Sequence, residues 1–191
     1  GSGFNYSGAW SSGSTELFLA GTASPATAWH LGTDQHFTCV LKHPQQRWEL
    51  AADQTGWRAD QVTSQEAIDA FTALLPVYQR PAWQVEPGPY TIAFGPWAIA
   101  QILEMAVWAG FWGRGYEEKQ GWTAGKSLGD RLLSEQVTVV DDSGDPLTFR
   151  FGFDGAGLAR GVFPLVQAGT FAGLAYELAT AAEYGRRPNP D

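Results

Sequence analysis

The chain has 191 residues, 44% of them hydrophobic, which is enough for one domain with a sizeable buried interior. Its formal net charge is −8, from 12 basic and 20 acidic residues, which argues against broad binding to nucleic-acid phosphates. No apolar run reaches the roughly 18 residues of a membrane-spanning helix, no signal peptide is visible, and the single cysteine, Cys39, cannot form an internal disulfide, which suits a reducing compartment.

Gly1-Ser2-Gly3 reads as a scar left by cloning and is set apart from the fold. Thr15–Ala20 follows a Ser/Gly-rich turn and reads as a short strand. His36–His43 and Arg47–Ala52 read as paired strands, with Pro44-Gln45-Gln46 as the hairpin turn. The period then changes. Ser64 serves as an N-cap, Ala67, Ile68, Phe71, Leu74 and Leu75 follow at helical spacing, and Pro76 disturbs the end.

Pro81–Pro89 is proline-rich and reads as a linker, and Tyr90–Phe94 as a compact strand. Gly95-Pro96 opens a second helix, because proline is tolerated in a first turn where its missing N–H is not needed. Ile99, Ile102, Leu103, Ala106, Val107 and Gly110 give that helix a wide apolar stripe, so it is expected to be largely buried. A Gly-rich loop follows, then strands near 136–140, 147–153, 161–167 and 170–176, and a closing helix near 177–184. Strands with few β-α-β alternations indicate an α+β fold with an antiparallel-rich mixed sheet and about three helices.

Several local patterns imitate functional motifs. His36, Cys39 and His43 would share a face on a helix and suggest a metal cluster. On a strand, side chains alternate, so His36 points away from both Cys39 and His43. Gly121–Ser127 approaches a phosphate loop but is one residue short, and the charged Tyr116–Gln120 precedes it instead of an apolar strand. Gly155–Gly161 imitates a dinucleotide turn, yet a β-like run follows, so its glycines read as bends. Asp141, Asp142 and Asp145 lack the spacing and closing glutamate of a calcium loop and read as a turn. The three histidines have no motif around them, so no nucleophile–base set can be named. Nine tryptophans are scattered along the chain, which favours core and interface roles over a base-stacking platform.

A run of weak motifs occurs in one order. The helical segment Gly95–Gly113 is followed by Gly125-Lys126-Ser127-Leu128-Gly129-Asp130 and by Val137-Thr138-Val139-Val140-Asp141-Asp142. Then come Phe153-Asp154-Gly155-Ala156-Gly157, Leu165–Gly173 and Thr180-Ala181-Ala182-Glu183-Tyr184-Gly185, with Asn5-Tyr6-Ser7-Gly8 as a looser match near the start. In this order they resemble the C-terminal domain region of the TldD/PmbA family, zinc-metallopeptidase-related proteins also named as modulators of DNA gyrase. The resemblance covers about half the chain. It implies a single domain over residues 4–191, lacking the N-terminal domain and last strands of the family.

In the active members of that family the helix carries H-E-x-x-x-H, two imidazoles for zinc with a glutamate as general base. Here the window has no histidine. With Glu104 kept as the base, the ligand positions hold Leu103 and Trp108. Matching Ala106-Val107, Gly110 and Gly113 instead, the preferred alignment, they hold Glu104 and Ala109, and Met105 replaces the base. The resemblance therefore implies the non-zinc, PmbA-like member, with no cofactor of its own although active relatives use zinc. It further implies a cytoplasmic protein that dimerises, with itself or with a zinc-bearing TldD-like subunit, and helps to process flexible peptides. Two alternatives stand beside this: a metal-dependent peptidase with ligands outside this region or unorthodox ones such as Glu104, and a stand-alone peptide-binding module. Glu104 itself reads either as a solvated or salt-bridged edge residue, which the residues alone favour, or as a pocket carboxylate that meets a peptide amine or a partner chain. Trp108, Trp112 and Trp122 are the nominated contacts for a partner.

Overall fold

A computed structural model describes residues 3–21, 24–46 and 48–189. Gly1 and Ser2 of the expected scar lie outside the described residues, as does Arg47 at the head of an expected strand. Among the described residues the class is α+β, with two three-stranded antiparallel sheets. Four helices occur where about three were expected, because Gly113–Glu117, read from sequence as loop, makes a short turn of helix. The chain divides into two compact units. The first holds Gly1–Phe18, Trp29–Gly88 and Pro146–Phe149; the second holds Leu19–Ala28, Pro89–Asp145 and Arg150–Asp191.

The first sheet runs in the order β1 (Asn5–Gly21), β2 (Ser24–Lys42), β3 (Glu49–Gly56). The β2–β3 hairpin is as read, with Lys42 opposite Glu49 and His36 opposite Thr55. Its turn is closed by a histidine: His43 Nδ1 accepts from the Gln45 and Gln46 backbone N–H groups at 3.2 and 2.9 Å. β1 is far longer than the six residues expected, since its Ser/Gly-rich first half continues the ladder instead of turning. Leu50 and Ala52 alternate into the interior of β3, the period-two pattern of a half-buried strand. α1 (Ser64–Tyr78) is capped one residue earlier than read, by Thr63, whose hydroxyl accepts from the Glu66 N–H. Of its apolar stripe only Ala67 is buried, and the helix runs two residues past Pro76.

The second unit contains α2 (Pro96–Gly110), α3 (Gly113–Glu117), β4 (Val139–Asp142), β5 (Val162–Gln167), β6 (Thr170–Phe171) and α4 (Leu178–Tyr184). Two expected strands are absent. Tyr90–Phe94 is irregular, with Tyr90, Ile92 and Phe94 exposed, and residues 147–153 are irregular as well. Both runs have strand-like composition but lie outside either ladder, and propensity without a pairing partner does not make a strand. β5 and β6 form a tight hairpin through Ala168 and Gly169, at φ 46° and 76°. Positive φ at both central residues is what a two-residue hairpin turn needs to match strand twist. Phe111, Leu165, Val166, Phe171, Leu174, Tyr176 and Ala181 make the core. Phe111 meets Phe171 edge-on at 5.6 Å between ring centres.

A polar clamp holds the end of the described chain to α3. The Tyr176 hydroxyl and the Arg186 Nε both donate to Glu117 Oε1 at 2.7 Å. Arg114 bridges Glu118 and Glu183, tying α3 to α4. The Arg186 hydrogen bond, followed by that from Tyr176, holds the Glu117 carboxyl below the usual glutamate range. Burial, then the Glu117 carboxylate, pushes the Tyr176 hydroxyl up to about 12. Glu117 therefore contributes stability above its unfolded value of about 4.3, and that contribution is lost as pH falls through the lower folded value. Glu117→Gln should be less stable than wild type near neutral pH, and its stability should fall less steeply on acidification below about pH 4.3, as read by urea denaturation.

The sequence placed the start of α2 correctly, but the helix ends at Gly110 and not at Gly113, and it is less buried than expected. Leu103, Ala106 and Val107 are half-buried, Ile99 and Ile102 are exposed, and only Gly110 is buried. The helix is apolar around most of its circumference, and of its stripe Val107 packs against the core. A fully buried leucine would lose about 2–5 kcal/mol on truncation. Leu103→Ala is instead expected to lose on the order of 1 kcal/mol, whereas Phe171→Ala should lose about 3–5 kcal/mol; the two urea curves give the comparison.

Candidate functional site

The site is built on α2. Gly95 in extended conformation leads into Pro96 at the first helical position, where no N–H is required. At the far end the last carbonyls of the helix need partners from elsewhere. The loop after α3 reaches this end: the fully buried Thr123 hydroxyl donates to the Gly110 carbonyl, and Trp122 Nε1 adds a hydrogen bond at 2.8 Å to the Ala106 carbonyl one turn back. Gly110 must be glycine, because a methyl group there would overlap the Trp122 indole. Beyond it the Phe111 carbonyl accepts from Ala175 N–H at 2.8 Å, and Gly113 N–H returns to the Ala175 carbonyl at 2.7 Å.

With its C-terminal end held in this way, α2 stands beside β4 and β5 and leaves a cleft of about 780 Å³. Leu103, Val107, Phe111 and Trp112 form one wall; Val139, Phe163 and Leu165 form the other. Three charged residues line it: Glu104 on the helix, Asp141 on β4, and Arg160 just before β5. Arg160 Nη2 donates to both oxygens of Asp141, at 2.9 and 2.8 Å, so these two charges neutralise each other. Arg160 Nε is buried without an acceptor among the described residues. Glu104 is exposed and makes no hydrogen bond or ion pair among the described residues.

The degenerate zinc-helix positions divide between surfaces. Leu103, Glu104 and Trp108 line the cleft; Met105 is 60% exposed and does not; Ala109 lies in a separate small depression with Trp108 and Gly121. These residues do not fit a zinc ion. Zinc takes imidazole, thiolate or carboxylate ligands, and hydrocarbon, indole and thioether side chains are not substitutes. One carboxylate, Glu104, remains, and no cluster of three or more His, Cys, Asp or Glu side chains is placed to hold a metal among the described residues.

Other sequence candidates fall elsewhere. His36 lies on β2 within 3.5 Å of Asp53, His43 caps the hairpin turn, and Cys39 is half-buried between them in sequence. The loop that imitates a phosphate site is a turn organised by Asp130, whose carboxylate accepts from Ser127 N–H at 2.8 Å. The second imitation is a bend in which Asp154 accepts from the N–H groups of Ala156 and Leu158. Asp142 likewise accepts from Gly144 N–H, closing the turn after β4. Of the nominated tryptophans, Trp108 is 72% exposed, Trp112 forms part of the cleft, and Trp122 braces α2. The Asp141–Arg160 pair escaped sequence reading: 19 residues separate its members, and neither sits in a motif that signals pairing.

The chain matches the family described as PmbA/TldA metallopeptidase C-terminal domain over residues 87–190. It belongs to this family. The match contains α2, the cleft and every element of the second sheet. Three solved structures share the fold. One, described as a proposed modulator of DNA gyrase from Bacteroides thetaiotaomicron, is 14% identical with a TM-score of 0.81, covering 99% of this chain and 44% of that one. TldE from Thermococcus kodakarensis is 22% identical with a TM-score of 0.75, covering 95% and 41%. A further proposed DNA gyrase modulator, from Thermotoga maritima, is 15% identical with a TM-score of 0.67, covering 85% and 37%. The chain thus spans less than half the length of each. No curated protein matches the chain. Among the described residues no helix is long and apolar enough to cross a membrane.

Asp141→Ala should cost about 1–3 kcal/mol, because it strands a guanidinium that is mostly shielded from water. Glu104→Gln, which breaks no contact, should stay within about 0.5 kcal/mol of wild type. Urea denaturation of both variants checks the contrast.

Proposed function

We propose that this chain is the C-terminal-domain region of a non-zinc, PmbA/TldE-like member, which acts in the cytoplasm by assisting a zinc-bearing relative in breaking down or maturing peptides. The observation that carries the reading is the chemistry of α2. At the positions where the resemblance puts two ligands and a base stand Glu104, Ala109 and Met105, or in the other alignment Leu103, Trp108 and Glu104. Neither set supplies the two nitrogen donors that such a zinc helix requires. The cleft beside the helix has an apolar lining suited to side chains of an unfolded peptide.

On this reading the protein contributes binding surface and shape, and the relative contributes the metal and its water. Association is supported by the exposed aromatic and aliphatic residues of α2, Trp97, Ile102, Met105 and Trp108 among them.

The test uses the full-length protein, alone and mixed with a zinc-bearing relative, and follows cleavage of an unstructured peptide. Cleavage is expected with the relative and not without it. After chelator washing and zinc reloading, elemental analysis of the full-length protein alone should give well under one zinc per chain. Robust cleavage by the protein alone, blocked by a chelator and lost in Glu104→Gln, would overturn the proposal in favour of an unorthodox peptidase.

A further inference from the structure

We propose that the cleft between α2 and the β4–β5 strands is a binding site for an apolar chain end that carries a free amine, the amino terminus of a hydrophobic peptide, with Glu104 as the residue that recognises its charge. The inference rests on the peptide-related reading above only for the choice of a peptide as the natural form of this ligand. The chemistry comes from the cleft itself.

Its walls are hydrocarbon and aromatic, so the body of the ligand must be apolar to gain from leaving water. Its charged lining is limited to Glu104, Asp141 and Arg160. The pairing of Arg160 Nη2 with both oxygens of Asp141, at 2.9 and 2.8 Å, cancels two of these charges. That leaves one net negative charge, on a carboxylate without a protein partner among the described residues. A ligand with a carboxylate would meet repulsion from Glu104, while Arg160 is already engaged. A neutral ligand would leave the carboxylate partly desolvated and unpaired. A primary ammonium supplies up to three donors to an acceptor-only group and completes the charge balance of the cleft.

Position also favours recognition at a chain end. Glu104 is exposed, so an ammonium can reach it from solvent while the following side chains lie along Leu103 and Phe163. Leu103 and Glu104 are adjacent in sequence, and both contribute to the lining of the cleft. Trp108, one turn further on, extends the apolar wall.

The experiment measures binding by calorimetry to the 191-residue chain, without a partner protein and without a cleavage readout. The probes are the tripeptide amide Leu-Leu-Val-NH2 and the same peptide with an acetylated amino terminus. The free-amine peptide should bind at least about tenfold more tightly, the low end for a charge-assisted hydrogen bond. Glu104→Gln should erase that preference by weakening the free-amine peptide, without weakening the acetylated one. Glu135→Gln, which removes the same charge from an exposed position outside the cleft, should preserve the preference and so exclude a simple effect of net charge. Leu103→Ser should weaken both peptides without changing their ratio. Equal affinity for the two peptides, a preference that survives Glu104→Gln, or no binding of either would overturn the assignment. None of these outcomes bears on cleavage with the zinc-bearing relative, so the two proposals fail separately.

Discussion

The second unit depends on how the last turn of α2 is terminated. A helix end presents carbonyls that the helix cannot satisfy, and here they point toward protein as well as water. Thr123 reaches back from a loop more than ten residues downstream to take one of them, Trp122 from the same loop adds a bond to the Ala106 carbonyl one turn earlier, and Gly110 provides the room. The neighbouring Phe111 then exchanges backbone hydrogen bonds with Ala175 through its own carbonyl and through Gly113, while its ring enters the core against Phe171. One turn of helix is thereby fixed to a loop, to the segment before α4 and to the core. Placing a larger residue at Gly110 would disturb all three attachments together.

The cleft follows from that attachment. Its helix wall is held at the C-terminal end, and its sheet wall is held by the β4–β5 ladder and the tight β5–β6 turn. The Arg160–Asp141 pair closes a polar gap that an apolar cleft could not leave unpaired without cost. What is left facing the ligand space is hydrocarbon, indole and a single unpaired carboxylate. In a zinc-bearing relative the same helix would carry a metal, a bound water and a base. Here it carries Leu103, Glu104, Met105, Trp108 and Ala109, a set without the imidazoles that such a zinc helix requires.

Much of this was legible in the residues because it depends on local chemistry. The Pro44-Gln45-Gln46 turn, the Gly95-Pro96 helix start and the Gly185 end of α4, at φ 63°, each follow from a backbone preference of one or two residues. The turn after β4 was legible for the same reason, since the short carboxylate of Asp142 caps the Gly144 N–H two residues on. Errors arose where a partner decides the outcome. Tyr90–Phe94 has the composition of a strand but no ladder to join, and β1 has Ser/Gly-rich composition yet pairs along its length with β2. The apolar stripe of α2 was read as a buried face, although periodicity reports only which side is apolar and not what lies against it.

The sequence by itself determined the family, from motifs in a fixed order, and it determined that α2 carries no histidine, because side-chain identity needs no fold. It also argued against a phosphate loop at Gly121–Ser127, from one missing residue, and read the glycines of Gly155–Gly161 as bends, from the run that follows. Only the tertiary structure decided that Glu104 lines an apolar cleft without a partner and that Asp141 is neutralised by Arg160. It alone showed that Trp122 is a brace for α2. These facts join residues 16 to 19 positions apart in the chain, or compare a helix with a sheet. No local preference encodes such distances. They are set by how the packed elements come together around Phe111 and Phe171.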